Sequence, residues 1–267
     1  IVHFIGEDNT VFHALTWPAM LMAEGSYQLP WQVVANSFLN IKFPGKDEEK
    51  ISKSRGTAIW IEEYLKMFEA DPLRYYLTAI APETQRTTFD VDDFITRNNG
   101  ELVNAMGNFV NRTMTFVQKY LDNKAPAVGD RQQVDTDHLA NIAAHAERVT
   151  ARLDTLRFRA AMEEIMNLAR ASNAYFDAKK PWQQRKDDLA ACGTSLNVCI
   201  QTVKALMTLM APFLPFSAEK CLKMLNLDAT ALAWDQATVE LAPGHALGEP
   251  VILFQKLDPK VVFADMQ

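Results

Sequence analysis

Lys50, Ser52, Lys53, Ser54 and Arg55 gather three cations and two hydroxyls into six positions, and Gly56 ends the run. Ammonium groups are compact charges suited to phosphate oxygens, and a short loop lets several converge on one polyphosphate. The hydroxyls can bond phosphate or fix the loop, and a glycine permits close backbone approach. On its own the pentapeptide KISKS serves equally well as a solvated basic turn; its position after a strand candidate is what favours a nucleotide. A second polar set lies further along, where Asn108, Arg112, Thr115 and Lys119 recur three and four apart as one stripe of a helix. Trp182 follows two lysines and Pro181. Asn and Arg one turn apart can both reach one unstacked base while an indole stacks on another, which is how single-stranded RNA is read. Taken alone, a solvated helix face and a half-buried Trp account for this second set more simply.

The elements that must position these groups follow two grammars. Residues 1–5 read as a strand ended by Gly6, residues 9–25 as a helix capped by Asn9 or Thr10 and stopped by Gly25, and residues 31–39 as a second strand. This β-α-β order favours a parallel sheet with functional loops at the strand ends. From about residue 90 strand signals nearly vanish. Residues 102, 106, 109, 113, 116 and 120, apolar except Thr113, keep helical spacing; Phe158, Met162, Ile165, Leu168, Ser172 and Tyr175 repeat it, as do Cys192, Leu196, Cys199, Val203, Leu206 and Met210. Four or five such helices with short connections make an antiparallel bundle. The expected fold is therefore mainly α: a helix bundle over residues 90–240, preceded by an α/β portion over residues 1–89 and followed by a linker and tail, residues 241–267, that packs back.

With 267 residues, 48% of them hydrophobic, the chain can bury a sizeable core. Its net charge of −6 excludes a generic polyanion binder. Residues 97–186 nevertheless hold fourteen Lys and Arg against ten Asp and Glu, a local excess that fits a phosphate-contacting face. Three cysteines without CxxC spacing argue against a disulfide framework or a cysteine metal site, and fit a reducing, cytoplasmic setting. Neither a membrane span nor a signal peptide is legible. Cys192, Cys199 and Cys221 read as core residues; His138 and His145 share a face without further ligands and read as surface residues. The opening IVHFIGED reads as a buried strand entered midway, so a longer protein is expected.

Taken together, the motifs carry a resemblance. KISKS resembles the KMSKS signature of class I aminoacyl-tRNA synthetases, with Ile51 in place of methionine, and ADPLRYYLTA (residues 70–79) resembles the segment that follows it there. HFIGEDNTVFHALTWPAML (residues 3–21) and PVILFQKLD (residues 250–258) are similar to segments of the methionyl-tRNA synthetase family, and NFVNR (residues 108–112) and NAYFDAKKPW (residues 173–182) to its anticodon-reading segments. The resemblance implies that residues 1–89 are the C-terminal remnant of a Rossmann-type catalytic domain and that the bundle binds an anticodon. It implies that Lys53, assisted by Lys50 with Ser52 and Ser54, stabilises the triphosphate of ATP during methionine activation. Gly6, Asp8 and His13 would bind ATP, His13 and Trp17 methionine, and Asn108, Arg112, Pro181 and Trp182 the CAU anticodon. ATP with Mg2+ is the implied substrate pair and tRNA(Met) the implied partner, with no metal site in this chain and neither membrane nor DNA as a target.

Two other readings stand beside this one. Another class I synthetase (cysteinyl, leucyl, isoleucyl or valyl) shares the signature, but FHALTWPAML and NAYFDAKKPW argue against it. A non-catalytic tRNA-binding module would have no reason to keep both lysines and both serines of the loop. The chain departs from the family in having Glu7 where lysine is usual, and in the long acidic lead-in KFPGKDEE before KISKS. No HIGH-type tetrad and no zinc knuckle occur in these residues, so the chain is expected to be a C-terminal portion, unable by itself to form methionyl adenylate.

Overall fold

The structure, a computed structural model, describes residues 1–52, 54–260 and 262. Lys53 therefore lies outside the described residues. The chain divides into two compact units, one of Ile1–Tyr64 with Ile80–Asp93, the other of Leu65–Ala79 with everything from Phe94 onward.

In the first unit β1 (Val2–Gly6) pairs in parallel with β2 (Gln32–Asn36), Val2 opposite Gln32 and Gly6 opposite Asn36. The connection runs through a tight turn at Glu7–Asn9, a π-helical stretch Phe12–Thr16 and α1 (Trp17–Glu24). Gly25 stops the helix as expected, at φ 85°, a left-handed conformation that glycine adopts without a Cβ penalty. No side chain caps its start, and Thr10 instead donates to the Glu7 carbonyl at 2.8 Å. The single strand expected over residues 31–39 is broken in two. At Ser37 the backbone N–H turns to the Pro82 carbonyl (2.9 Å), so the chain leaves β1 and enters a second sheet. There β3 (Leu39–Lys42) lies between β4 (Glu49–Lys50), antiparallel, and β5 (Thr87–Asp90), parallel. Strand β5 carries no legible pattern because four residues, TTFD, are too short to show alternation. Its register is nonetheless firm: Ile41 opposes Phe89, both buried, and Lys42 opposes Asp90 with Nζ 2.8 Å from Oδ2.

The second unit is helical. It contains α3 (Ala70–Ala79), a ten-residue π-helical stretch Asn98–Gly107, α5 (Asn108–Tyr120), α6 (Gln133–Asp154), α7 (Phe158–Lys179), α8 (Pro181–Asp187), α9 (Leu189–Met210) and α10 (Pro215–Leu225). Two short helices, α2 (Ile61–Met67) and α4 (Val91–Arg97), run across the unit boundaries. Helix α9 is the axis of the core, with every residue from Cys192 to Met210 buried. The sequence-predicted seams Leu102, Met106, Phe109 and Met162, Ile165, Leu168 are buried against it, as are Cys192, Cys199 and Cys221.

The ADPLRYYLTA block ties α3 to the corner between α9 and α10. Asp71 is buried and accepts from both the Ser217 N–H and its hydroxyl at 2.6 Å, occupying the first turn of α10, while Arg74 donates to the Phe213 carbonyl at 2.7 Å. At the other end of the sequence the QKL segment is clamped on the π-helical stretch. Asn98 donates to the Gln255 carbonyl at 3.0 Å, and Asn99 exchanges two bonds with the Leu257 backbone.

Two expectations are overturned here. His138 and His145 are not surface residues, being 7% and 6% exposed. Helix α6 packs against both α7 and α9, so imidazoles on its inner face meet polar partners the sequence does not reveal. The His138 ring stacks on Tyr175 (centroids 4.5 Å apart, planes at 14°) with Nε2 3.3 Å from the Thr202 hydroxyl. His145 Nδ1 lies 3.1 Å from Glu164 Oε2. Among the described residues no helix is long and apolar enough to cross a membrane.

Candidate nucleotide loop and RNA-reading face

In the first unit the described residues that follow Lys50 of β4 form a turn, with Ile51, Ser54 and Arg55 exposed. Ser52 and Thr57 bridge it by reciprocal backbone hydrogen bonds (3.3 and 3.0 Å), and Thr57 Oγ1 donates to the Lys50 carbonyl at 3.0 Å. The Ser52 and Ser54 hydroxyls lie 3.2 Å apart, and Gly56 turns the chain at φ 67°. Lys50 is exposed. A turn held at its base by Ser52 and Thr57, with the exposed Ser54 and Arg55 beyond it, is chemically fitted to polyphosphate oxygens.

Near the C-terminal end of β1, a Cβ on Gly6 would stand 2.7 Å from Asp8 Oδ1, so the glycine is what lets that carboxylate lie close to the strand end. Asn9 Nδ2 donates to the same oxygen at 3.3 Å. Glu7 has structural partners of its own: Ser37 donates to it at 2.9 Å and Arg86 at 3.3 Å, with the Arg86 guanidinium over the Phe38 ring. His13 Nδ1 lies 3.3 Å from His3 Nδ1 with the rings edge to face, and Trp17 is 45% exposed. His13 lies within the π-helical turn that ends just before Trp17, which alters the angular offset expected of an α-helix.

The second unit assembles the other candidate set. Helix α7 ends at Lys179, Lys180 adopts the left-handed conformation (φ 48°), and Pro181 opens α8 at a position where its missing N–H costs nothing. This corner presents Trp182 at the surface, 39% exposed, facing Arg112 of α5. The Arg112 guanidinium lies 4.2 Å from the Phe176 ring centroid and 5.9 Å from that of Trp182, and its NH2 is 2.7 Å from Asp177 Oδ1. Phe176 and Trp182 are 6.1 Å apart at 30°. Asn108 is exposed one turn before Arg112. Pro181 is buried, so its contribution to this face is conformational. Arg112, Trp182 and Asn108 thus share one face, with Phe176 and Asp177, which sequence reasoning did not single out, completing it.

Behind the corner lies a buried polar group. Lys179 Nζ is 2.9 Å from Asp135 Oδ1, and the Tyr175 hydroxyl donates to the same carboxylate at 2.7 Å. Burial would raise the Asp135 pKa, but these two donors and the Gln132 N–H hold it below the usual carboxylate range. Burial, then the neighbouring Cys199 and Asp135, push the Tyr175 hydroxyl well above the ordinary phenol. Among the described residues no three His, Cys, Asp or Glu side chains are placed to hold a metal ion.

Comparison with known proteins places the chain in a family. Residues 1–114 match the model for class I (M) tRNA synthetases, and residues 125–262 that for the anticodon binding domain of methionyl tRNA ligase. The chain is 45% identical to the methionine–tRNA ligase of Parabacteroides distasonis over its whole length, and 42% identical to that of Pyrococcus abyssi over 98% of it. It spans 39% and 37% of those two proteins. The structure of Mycobacterium tuberculosis methionyl-tRNA synthetase in complex with methionyl-adenylate superposes with a TM-score of 0.87 at 32% identity, covering 95% of this chain and 49% of that one. With both of its motif-bearing regions matched in order, the chain belongs to the methionyl-tRNA synthetase family of class I aminoacyl-tRNA synthetases.

Proposed function

We propose that the protein carrying this chain activates methionine with ATP and transfers it to tRNA(Met) in the cytoplasm, and that this chain supplies the triphosphate loop and reads the CAU anticodon. The observation that carries the reading is the platform formed by Arg112, Phe176 and Trp182. An indole and a guanidinium side by side at the surface, beside the exposed amide of Asn108, offer one stacking plane and two hydrogen-bonding groups to unpaired bases.

In the other unit, Lys53 with Lys50 meets the charge that grows on the leaving pyrophosphate as the methionine carboxylate attacks the α-phosphorus. Asp8, kept close to the strand end by Gly6, accepts hydrogen bonds from the ribose hydroxyls. His13 and Trp17 line the methionine side. Magnesium is expected to arrive on the triphosphate, since it binds through substrate phosphates more than through protein cages.

The test is a titration of two anticodon stem-loops, one carrying CAU and one an unrelated triplet, against wild type and Trp182→Ala. The reading requires that wild type prefers CAU and that the substitution weakens CAU binding about tenfold or more. Binding of the unrelated loop, which rests on salt-sensitive phosphate contacts, should scarcely change. Equal binding of the two RNAs by wild type, or equal losses on mutation, would overturn it.

A further inference from the structure

Three residues beyond Trp182 on α8, the exposed Arg185 lays its guanidinium over Tyr120, 4.2 Å from the ring centroid. Tyr120 is the last residue of α5, two turns beyond Arg112. Lys119 Nζ lies 5.3 Å from the same centroid, and the Phe116 ring packs against Tyr120 at 4.7 Å. The arrangement repeats the chemistry of the Arg112–Phe176–Trp182 platform with a second aromatic and a second guanidinium. Tyr120 also lines an open groove of about 520 Å³. The groove floor is apolar, built from Pro126, Val128 and Leu189, of which Leu189 is 57% exposed. Its charged rim carries Lys124 and Asp122, with Arg185 and Lys119 on the adjoining Tyr120 ring.

We propose that this groove is a second nucleotide subsite, in which the base of a nucleotide flanking the anticodon triplet packs beside Tyr120 while its phosphate is met by Arg185. The inference rests on the anticodon reading above and extends it. Three features favour a nucleotide over other occupants. An apolar floor and an aromatic wall suit a π-face, and a guanidinium at the edge suits a phosphate. The volume is within the usual range of small-ligand sites. The subsite is continuous with the first platform, since Trp182 and Arg185 are neighbours on one helix turn, about 5–6 Å apart at Cβ.

The experiment uses the protein as encoded and four RNAs: a CAU stem-loop, the same stem-loop made abasic at the nucleotide directly 5′ or directly 3′ of the triplet, and a stem-loop with an unrelated triplet. Wild type is expected to bind one of the two abasic RNAs about tenfold more weakly than the intact loop. Tyr120→Leu should show the same loss with the intact loop and no further loss with that abasic RNA. Arg185→Ala, at an exposed position, should weaken binding a few-fold and make the slope of log K against log salt shallower by about 0.7, one single-strand phosphate contact. If Tyr120→Leu fails to fold, the Arg185→Ala slope and its coupling to the abasic RNA decide alone. Additive losses, or no loss, with the Trp182-dependent CAU preference intact would overturn the subsite and leave the anticodon reading standing. A wild type that does not distinguish CAU from an unrelated triplet would overturn both.

Discussion

Lys179 and Asp135 form a buried ion pair, 2.9 Å between Nζ and Oδ1 with side chains 5% and 1% exposed, joining the last turn of α7 to the first turn of α6. Gln132 completes it from both sides, its N–H donating to Asp135 at 2.8 Å and its side-chain oxygen accepting from Lys179 at 2.9 Å. Trp182 follows Lys179 by three residues, so the pair fixes the corner from which the indole projects. Such a pair adds little by existing, because desolvation of both charges offsets their attraction, but leaving one partner alone is costly. Lys179→Met should therefore destabilise the bundle by about 3 to 5 kcal/mol, read from urea unfolding. Adding Asp135→Asn should recover part of that loss. Strictly additive costs would show that the two do not act as a unit.

That pair also marks the boundary of what the sequence discloses. The apolar seams of α5, α7 and α9 were legible because burial on one helix face leaves a period in the chain itself. The stop at Gly25, and the segments around KISKS, NFVNR and KKPW, were legible because each is contiguous. Asp135 was invisible as a structural group because its partner lies 44 residues away, and nothing local marks a carboxylate as buried. His138 and His145 were misread for the same reason, their partners Thr202 and Glu164 lying on other helices. Strand β5 and the break at Ser37 escaped because sheet membership is decided by which backbone the N–H groups find, not by composition.

The buried His138 sets a pH dependence. Burial first, then the nearby His145, push its pKa down from 6.5 to about 4, with Asp135 opposing. The unfolded chain takes up the proton near the ordinary value, so between about pH 6.5 and 4 the unfolded state binds more protons and stability falls as pH falls. His145, lowered by burial and by Arg148, acts in the same direction. Asp135, whose pKa is depressed, contributes stability that is lost only at lower pH, below the ordinary carboxylate value of 3.8. The His138 effect amounts to roughly 3 kcal/mol at full extent. Unfolding midpoints at pH 7 and pH 5 should converge in His138→Gln relative to wild type. An unchanged difference would assign the slope to other groups.

Lys53 lies outside the described residues, so the expectation for it rests on the signature and on the anchored base of the loop. If its charge meets pyrophosphate as it leaves, its contact is stronger in the transition state than in the ground state. Lys53→Ala in the protein as encoded should lower the adenylation kcat a hundredfold or more, about 3 to 4 kcal/mol, with little change in methionine binding. Methionine-dependent pyrophosphate exchange measures both. A normal kcat with only a raised KM would remove Lys53 from the chemical step.

Gly6 separates conformational need from room for a ligand. Its φ of −75° and ψ of 152° are ordinary extended values that alanine adopts without strain, so the backbone does not demand glycine. What a methyl group would meet is the Asp8 carboxylate, 2.7 Å away. That carboxylate ends a short side chain that can swing away, losing the Asn9 contact and its place near the strand end. If Asp8 accepts from a ribose hydroxyl as proposed, Gly6→Ala should leave the thermal midpoint almost unchanged while raising the KM for ATP about tenfold, the loss of one charge-assisted hydrogen bond. The KM for methionine, whose side of the site is proposed to be formed by His13 and Trp17, should stay within about twofold, far below the tenfold that 1.4 kcal/mol confers. Equal rises for both substrates, or a large drop in midpoint, would mean that Gly6 supports the strand and not the nucleotide.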